Sequence, residues 1–233
     1  MSTLGTVITA GLVGVFCHYV LRIGFLESLL IGSVISSTDA ASVFSVLRSR
    51  HLNLKDNTAS LLEVESGSND PFAYMLTVTV LSVMNGNNAP GGISWLLFSQ
   101  VVFGAAGGAL IAWLALKFLR RFHGFSAGFD GIFLVATALA AYALPQLIGG
   151  NGYLSTYITG IILGNSRLRG KTALVNFFDG MTGLMQMILF FLLGLLSFPS
   201  QLPAIAPKAL CIALFITLIA RPIASALILL PFR

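Results

Sequence analysis

Apolar residues recur along the chain in runs of about 20, long enough to cross a hydrocarbon core of about 30 Å as helices, and short polar stretches separate them. The alternation that would mark a transmembrane β-barrel is absent. About eight spans can be marked: Leu4 to Leu21, Phe25 to Leu47, Thr58 to Met84, Ser94 to Leu119, Gly128 to Leu147, Leu154 to Gly164, Asp179 to Phe198 and Ala206 to Leu230. The sixth is short and gains length if it extends back over Gly150-Asn151-Gly152. The pattern predicts an all-α integral membrane fold of about eight transmembrane helices embedded in a lipid bilayer.

Composition supports that reading. The 233 residues are 56% hydrophobic and 9% charged, with a mean hydropathy of +0.91, which excludes a soluble domain of this length. The formal charge of +5 sits in short connections and not in a basic patch interleaved with aromatics, so nucleic acid is not an expected partner. Basic connections (Arg48, Arg50, His51, Lys55; Lys117, Arg120, Arg121, His123; Arg167, Arg169, Lys171) alternate with poor ones carrying Arg22, Lys208 or no charge. By the positive-inside rule the rich connections and both termini are cytoplasmic. No basic leader with a short apolar core and a small-residue cleavage site precedes the first span, which is expected to be retained. Cys17 and Cys211 fall inside apolar runs without ligand-spaced neighbours and read as buried small hydrophobes.

Other features have ordinary structural readings. The stretch Gly104 to Gly108 and the pair Gly160 and Gly164 suit close helix packing. Asn85 through Gly92 is an external turn by composition. Asp130 and Asp179 stand at the starts of spans, where a carboxylate suits the positive end of the helix dipole. His18 lies near an external end and His51 and His123 lie in basic connections, with pH sensing as the functional alternative to a structural role.

The costly stretch is Glu63-Val64-Glu65-Ser66-Gly67-Ser68-Asn69-Asp70-Pro71, with three acids inside a span. A charge at mid-bilayer costs about 2.5 to 3.5 kcal/mol on insertion scales, so such groups face a cavity, a partner or an ion. At 1.5 Å per residue, Asp39 on the second span and Asp70 on the third lie about 13 and 15 Å from the cytoplasmic side, and Arg221 falls near the same level. Glu63, Ser66 and Asp70 share one helical face; Glu65 and Asn69 lie about 100° away. Asp70 and Ser66 can offer oxygens to a hard cation, and Pro71 removes the amide that would bond the Gly67 carbonyl. Glu65 is placed to meet Arg221. Ser36-Ser37-Thr38-Asp39 adds hydroxyls and a carboxylate where a broken helix would expose carbonyls. A purely structural polar network could be built from neutral residues at less cost, so two acids and an arginine at one depth favour ion transport. A partly desolvated carboxylate can hold a proton or a dehydrated monovalent cation, and that competition is enough for exchange.

Ser37-Thr38-Asp39-Ala40-Ala41-Ser42-Val43-Phe44-Ser45, the Glu63 to Pro71 stretch and the Arg221-Pro222 step resemble NhaP-type cation/proton antiporters of the monovalent cation:proton antiporter-1 family. Glu-Ser-Gly-Ser-Asn-Asp-Pro, with Leu163-Gly164-Asn165 and Asn176-Phe177-Phe178-Asp179-Gly180, is most similar to the bacterial potassium/proton branch linked to cell-volume regulation. The resemblance implies a secondary transporter of the inner membrane, not an enzyme, that exchanges K+ or Na+ for H+ without a cofactor. Asp70 is then the exchanging carboxylate, with Asp39, Thr38 and Ser66 near a transiently bound cation. Asn69 stands where electrogenic relatives have a second aspartate, implying electroneutral exchange, and Glu65 pairs with Arg221 to hold the helices in register.

The family fold has inverted repeats and a broken helix, here near Thr38-Asp39, and an ion-translocating core that moves against a dimerisation domain in a homodimer. It implies core spans over residues 1–92, a linking span over 93–123, interface spans over 124–200 and the start of the second core half over 201–233. Family members have about thirteen spans, so the chain corresponds to the fourth to eleventh, an excised segment without the second broken helix. The alternative expectation is therefore a truncated, non-transporting membrane fragment. An intramembrane aspartyl protease would also bring two acids to mid-depth, but its Gly-x-Gly-Asp signature is missing around Asp39 and Asp70.

Overall fold

Inside a bilayer a backbone N–H or C=O without a partner costs several kcal/mol, so a chain this apolar satisfies its backbone within helices. A computed structural model describes residues 3–38, 58–86, 92–121, 127–168 and 170–230, and all regular structure among them is helical. In order these are α1 (Leu4–Tyr19), α2 (Phe25–Ile35), α3 (Thr58–Met84), α4 (Gly92–Arg121), α5 (Ala127–Gln146), α6 (Gly152–Asn165), α7 (Lys171–Leu196), α8 (Leu202–Phe215) and α9 (Arg221–Leu229). A 3-10 turn, Pro199–Gln201, leads into α8, and a π-helical segment, Ile216–Ala220, joins α8 to α9. Among the described residues four stretches are long and apolar enough to cross a membrane: Gly92–Arg121, Phe129–Gln146, Lys171–Leu196 and Pro199–Ile228. Helices α1 and α2 are apolar but shorter. In α3 the acids between Glu63 and Asp70 dilute an otherwise spanning helix.

The chain forms two compact units, Met1–Ile93 with Ser197–Arg233, and Ser94–Leu196. In the first, α1 and α2 cross closely at glycine: a Cβ on Gly32 would strike the Ala10 carbonyl, and one on Gly14 would lie 2.8 Å from Leu29 Cδ2. The turn between them passes through Arg22 at φ +54°, and His18 Nδ1 donates to the Ile23 carbonyl at 2.9 Å. Val13, Cys17 and Ala220 form the apolar centre of this unit, flanked by the stacked rings of Phe16 and Phe215.

In the second unit α4 and α6 approach through glycines. A Cβ on Gly104 would lie 2.9 Å from the Asn151 carbonyl, and one on Gly108 would strike the Ser155 carbonyl. Thr159 Oγ1 lies 2.9 Å from the Gly108 carbonyl and 2.8 Å from that of Ser155. Ala115, Leu134 and Leu163 centre its apolar cluster, beside the stacked rings of Phe118 and Phe133.

Several sequence expectations are corrected. The seventh span begins at Lys171, so Asp179 lies inside α7 and on its exposed side; Thr172 to Phe178 hold no glycine or proline to delay the helix. Asp130 is in the first turn of α5, as expected. The sixth span starts at Gly152, where the Asn151 side chain caps it by accepting from the Leu154 amide at 3.1 Å. The last span starts at Leu202, with a proline in its first turn. An added Cβ on Gly160 or Gly164 would meet nothing within 4 Å among the described residues, whereas Gly104, Gly107 and Gly108 lie against neighbouring atoms. Cys17 is buried, whereas Cys211 lies on an exposed face of α8.

Candidate functional site

The end of α2 builds the site. Serine and threonine hydroxyls compete with the helix for backbone partners, and here they do so in succession. Ser33 Oγ donates to the Leu29 carbonyl and Ser36 Oγ to the Ser33 carbonyl, each at 2.8 Å, and α2 stops at Ile35. Ser37 and Thr38 follow outside the helix, so their carbonyls and hydroxyls are free to turn towards α3 and α9.

Ser66 and Asn69 of α3 receive them and are among the most buried polar side chains of the unit, at 1% and 3% exposure. Ser66 Oγ donates to Thr38, 3.1 Å from its hydroxyl and 3.3 Å from its carbonyl. Asn69 Nδ2 donates to the same Thr38 hydroxyl. Ser37 Oγ lies 2.7 Å from Asn69 Oδ1 and in hydrogen-bond contact with Asp70 Oδ1, so one proton serves an amide and a carboxylate oxygen. Ser68, between these residues, bonds instead to its own helix at the Val64 carbonyl, 2.6 Å away. α3 runs through Pro71 without a break.

Arg221 enters from α9, donating from Nη2 to the Ser37 carbonyl at 3.1 Å. The π-helical segment stands immediately before it. Wide turns of this kind re-aim the side chains that follow and recur at functional sites. A cavity of about 180 Å³ runs alongside the cluster, and Glu65, Asn69 and Arg221 all line it. Thr6 and Thr9 of α1 and Ser225 of α9 add hydroxyls to its wall.

The structure thus brings together Thr38, Ser66, Asn69 and Asp70 with Arg221 beside them; Glu65 lies across the cavity wall. Asp39 lies outside the described residues. One detail differs from the helical-wheel reading. Asn69 does not stand apart from Ser66 and Asp70, because the non-helical Ser37-Thr38 step spans both faces of α3. Arg221 donates to a backbone carbonyl, and Glu65 lines the same cavity as Arg221. Within the hydroxyl run Ser36-Ser37-Thr38, Ser37 holds the contact to Asn69 and Asp70, a role signalled by its position beside the expected break. The arrangement offers carboxylate, amide, hydroxyl and carbonyl oxygens to a hard cation or proton within an apolar helical unit.

The class defined by fold and site is a helical membrane protein with a buried polar junction at a helix break. The family described as "Sodium/hydrogen exchanger, transmembrane" matches residues 1–233, and the chain belongs to it. It is 37% identical to the K(+)/H(+) antiporter NhaP2 of Shewanella sp. (strain ANA-3) and 40% identical to the K(+)/H(+) antiporter NhaP of Alkalimonas amylolytica. Each match takes in 100% of this chain and 41% of the relative, so the chain spans about two fifths of their length. Its fold is similar to that of the sodium proton antiporter MjNhaP1 from Methanocaldococcus jannaschii at pH 8, with a TM-score of 0.83, 22% identity and coverage of 98% of this chain and 57% of the other.

Proposed function

We propose that this chain carries the ion-exchange site of a cation/proton antiporter of the bacterial inner membrane, with K+ or Na+ and H+ as its substrates and Asp70 as the group that holds them in turn. The observation that supports this most is the contact of Ser37 with both Asn69 and Asp70, which joins the end of α2 to the acid on α3. K+ is the cation in the names of both relatives cited above.

In this reading Asp70 binds the dehydrated cation with help from Ser66, Thr38 and Asp39, and releases it when protonated. Asn69 is neutral, leaving one exchanging acid on α3, which supports exchange of one cation for one proton. Arg221 holds the Ser37 carbonyl and pairs with Glu65 in a step of the cycle, keeping α2, α3 and α9 in register. Residues 1–92 and 201–233 form core elements, 124–200 supply a dimer interface, and both termini of the chain are cytoplasmic.

Everted vesicles bearing the chain, alone or within a longer antiporter, should acidify or alkalinise in response to added K+ or Na+. Asp70→Asn is expected to lower that exchange by about 100-fold or more, since it removes the only proton-exchanging group proposed on α3. Unaltered exchange in the Asp70→Asn protein would overturn the assignment. Exchange by the chain alone would exclude the non-transporting reading.

A further inference from the structure

Far along α4 from its glycines, the second unit carries a hollow of about 380 Å³ lined by Trp113, Leu116, Lys117, Arg120 and Arg121. Three of the five lining residues are cations and none is an acid. Lys117 Nζ lies 5.0 Å from the centroid of the Trp113 ring, so the ring face and the ammonium form one wall. Arg120 and Arg121 are exposed, with no ion-pair or hydrogen-bond partner among the described residues.

Depth identifies what such a hollow meets. Trp95 and Trp113 are about 27 Å apart along the axis of α4 at 1.5 Å per residue, close to the thickness of a hydrocarbon core. Both are largely exposed, at 60% and 56%, as expected of tryptophans in the two interfacial belts. With Trp113 at one boundary, Lys117 lies about 6 Å beyond it and Arg120 and Arg121 about 11 to 12 Å beyond, which is the headgroup level. The C-terminal end of a helix contributes about half a negative charge, and three full positive charges outweigh it.

We propose that this hollow is a binding site for an anionic phospholipid. The phosphate sits among Lys117, Arg120 and Arg121, and the glycerol and upper acyl chain lie against Trp113 and Leu116. A soluble phosphate compound would have the same charges to meet but no use for the apolar wall at the hydrocarbon boundary.

The test uses the full chain carrying Trp95→Phe, which leaves Trp113 as its single tryptophan. Vesicles of phosphatidylcholine contain a minor fraction of brominated phosphatidylglycerol or, at the same mole fraction, brominated phosphatidylcholine. Quenching of Trp113 by the anionic lipid is expected to exceed that by the zwitterionic one by about threefold or more at low salt, since each basic residue near the surface favours anionic lipid. Raising the salt to 1 M should shrink the difference but not abolish it, because a Debye length of about 3 Å screens surface attraction more than a seated headgroup. Arg120→Gln with Lys117→Gln should bring the two lipids level. Equal quenching by both lipids in the chain with its basic residues intact would overturn the proposal, whatever the variants do. Displacement of brominated phosphatidylglycerol by millimolar sn-glycerol 3-phosphate would overturn it in favour of a soluble phosphate site.

Discussion

The first unit buries Ser66 and Asn69 at 1% and 3% exposure, and the second buries Ser155 and Thr159 at 0% and 2%. The residue types are alike and the surroundings are not. Around Ser66 and Asn69 the side chains of α3 bond the non-helical step that follows α2, next to a cavity that keeps room for a small occupant. Around Ser155 the helices meet at Gly104 and Gly108 so closely that backbone touches backbone. There Ser155 Oγ, Thr156 Oγ1 and the Gln100 carboxamide are buried without a hydrogen-bond partner among the described residues. Burial of a hydroxyl in a membrane helix therefore carries two meanings. In one unit hydrogen bonds between side chains make the junction; in the other small volume admits a close approach, with Thr159 bonding the Gly108 carbonyl across it.

The largest expected effect lies in the second unit. Gly108→Val puts a branched side chain against the Ser155 backbone, where no side-chain rotation relieves the clash. It should cost about 3 kcal/mol or more, read as loss of the thermal unfolding transition or of detergent-stable protein. A tolerated valine would mean that the two helices are not held by close approach.

A smaller effect is expected at Arg221→Met, which keeps the length of the stem and removes the donor to the Ser37 carbonyl. A hydrogen bond from a charged group contributes about 1.5 to 3 kcal/mol, so amides near Ser37 should exchange hydrogen about 10- to 100-fold faster. Unchanged exchange there would show that α2's end is held by α3 alone.

The smallest effect is expected at Ser155→Ala. Because its hydroxyl is unpaired, its removal should be neutral or stabilise by up to about 1 kcal/mol, measured by thermal unfolding. A marked loss of stability would blur the contrast between the two units, since the hydroxyl would then be serving a partner.

The helices were legible because a bilayer forces apolar runs into helix, and α3 was bounded correctly at both ends by Thr58 and Met84. Starts were harder to read where helix formers preceded the apolar run, as from Lys171 to Phe178, since hydropathy reports the lipid and not the hydrogen bond. At the site, charge cost pointed to Asp70 and Arg221 and the hydroxyl run pointed to Thr38. The role of Ser37 could not be read from a helical wheel, because Ser37 lies beyond the end of α2 and follows no helical period. The same limit separated Asn69 from Ser66 on paper and not in space. Gly160 and Gly164 show the opposite failure, a good packing motif with nothing against it among the described residues.

The wide turn at Ile216–Ala220 sets an azimuth. Each residue of a regular helix advances the direction of its side chain by about 100°, so a chain shortened by one residue within this turn would swing Arg221 by about that angle. The guanidinium would leave the Ser37 carbonyl, and Ser225 would rotate off the cavity wall together with it. One surplus residue thus acts as a phase shift between two otherwise regular helices, and the aim of the basic group is encoded in chain length as much as in residue identity.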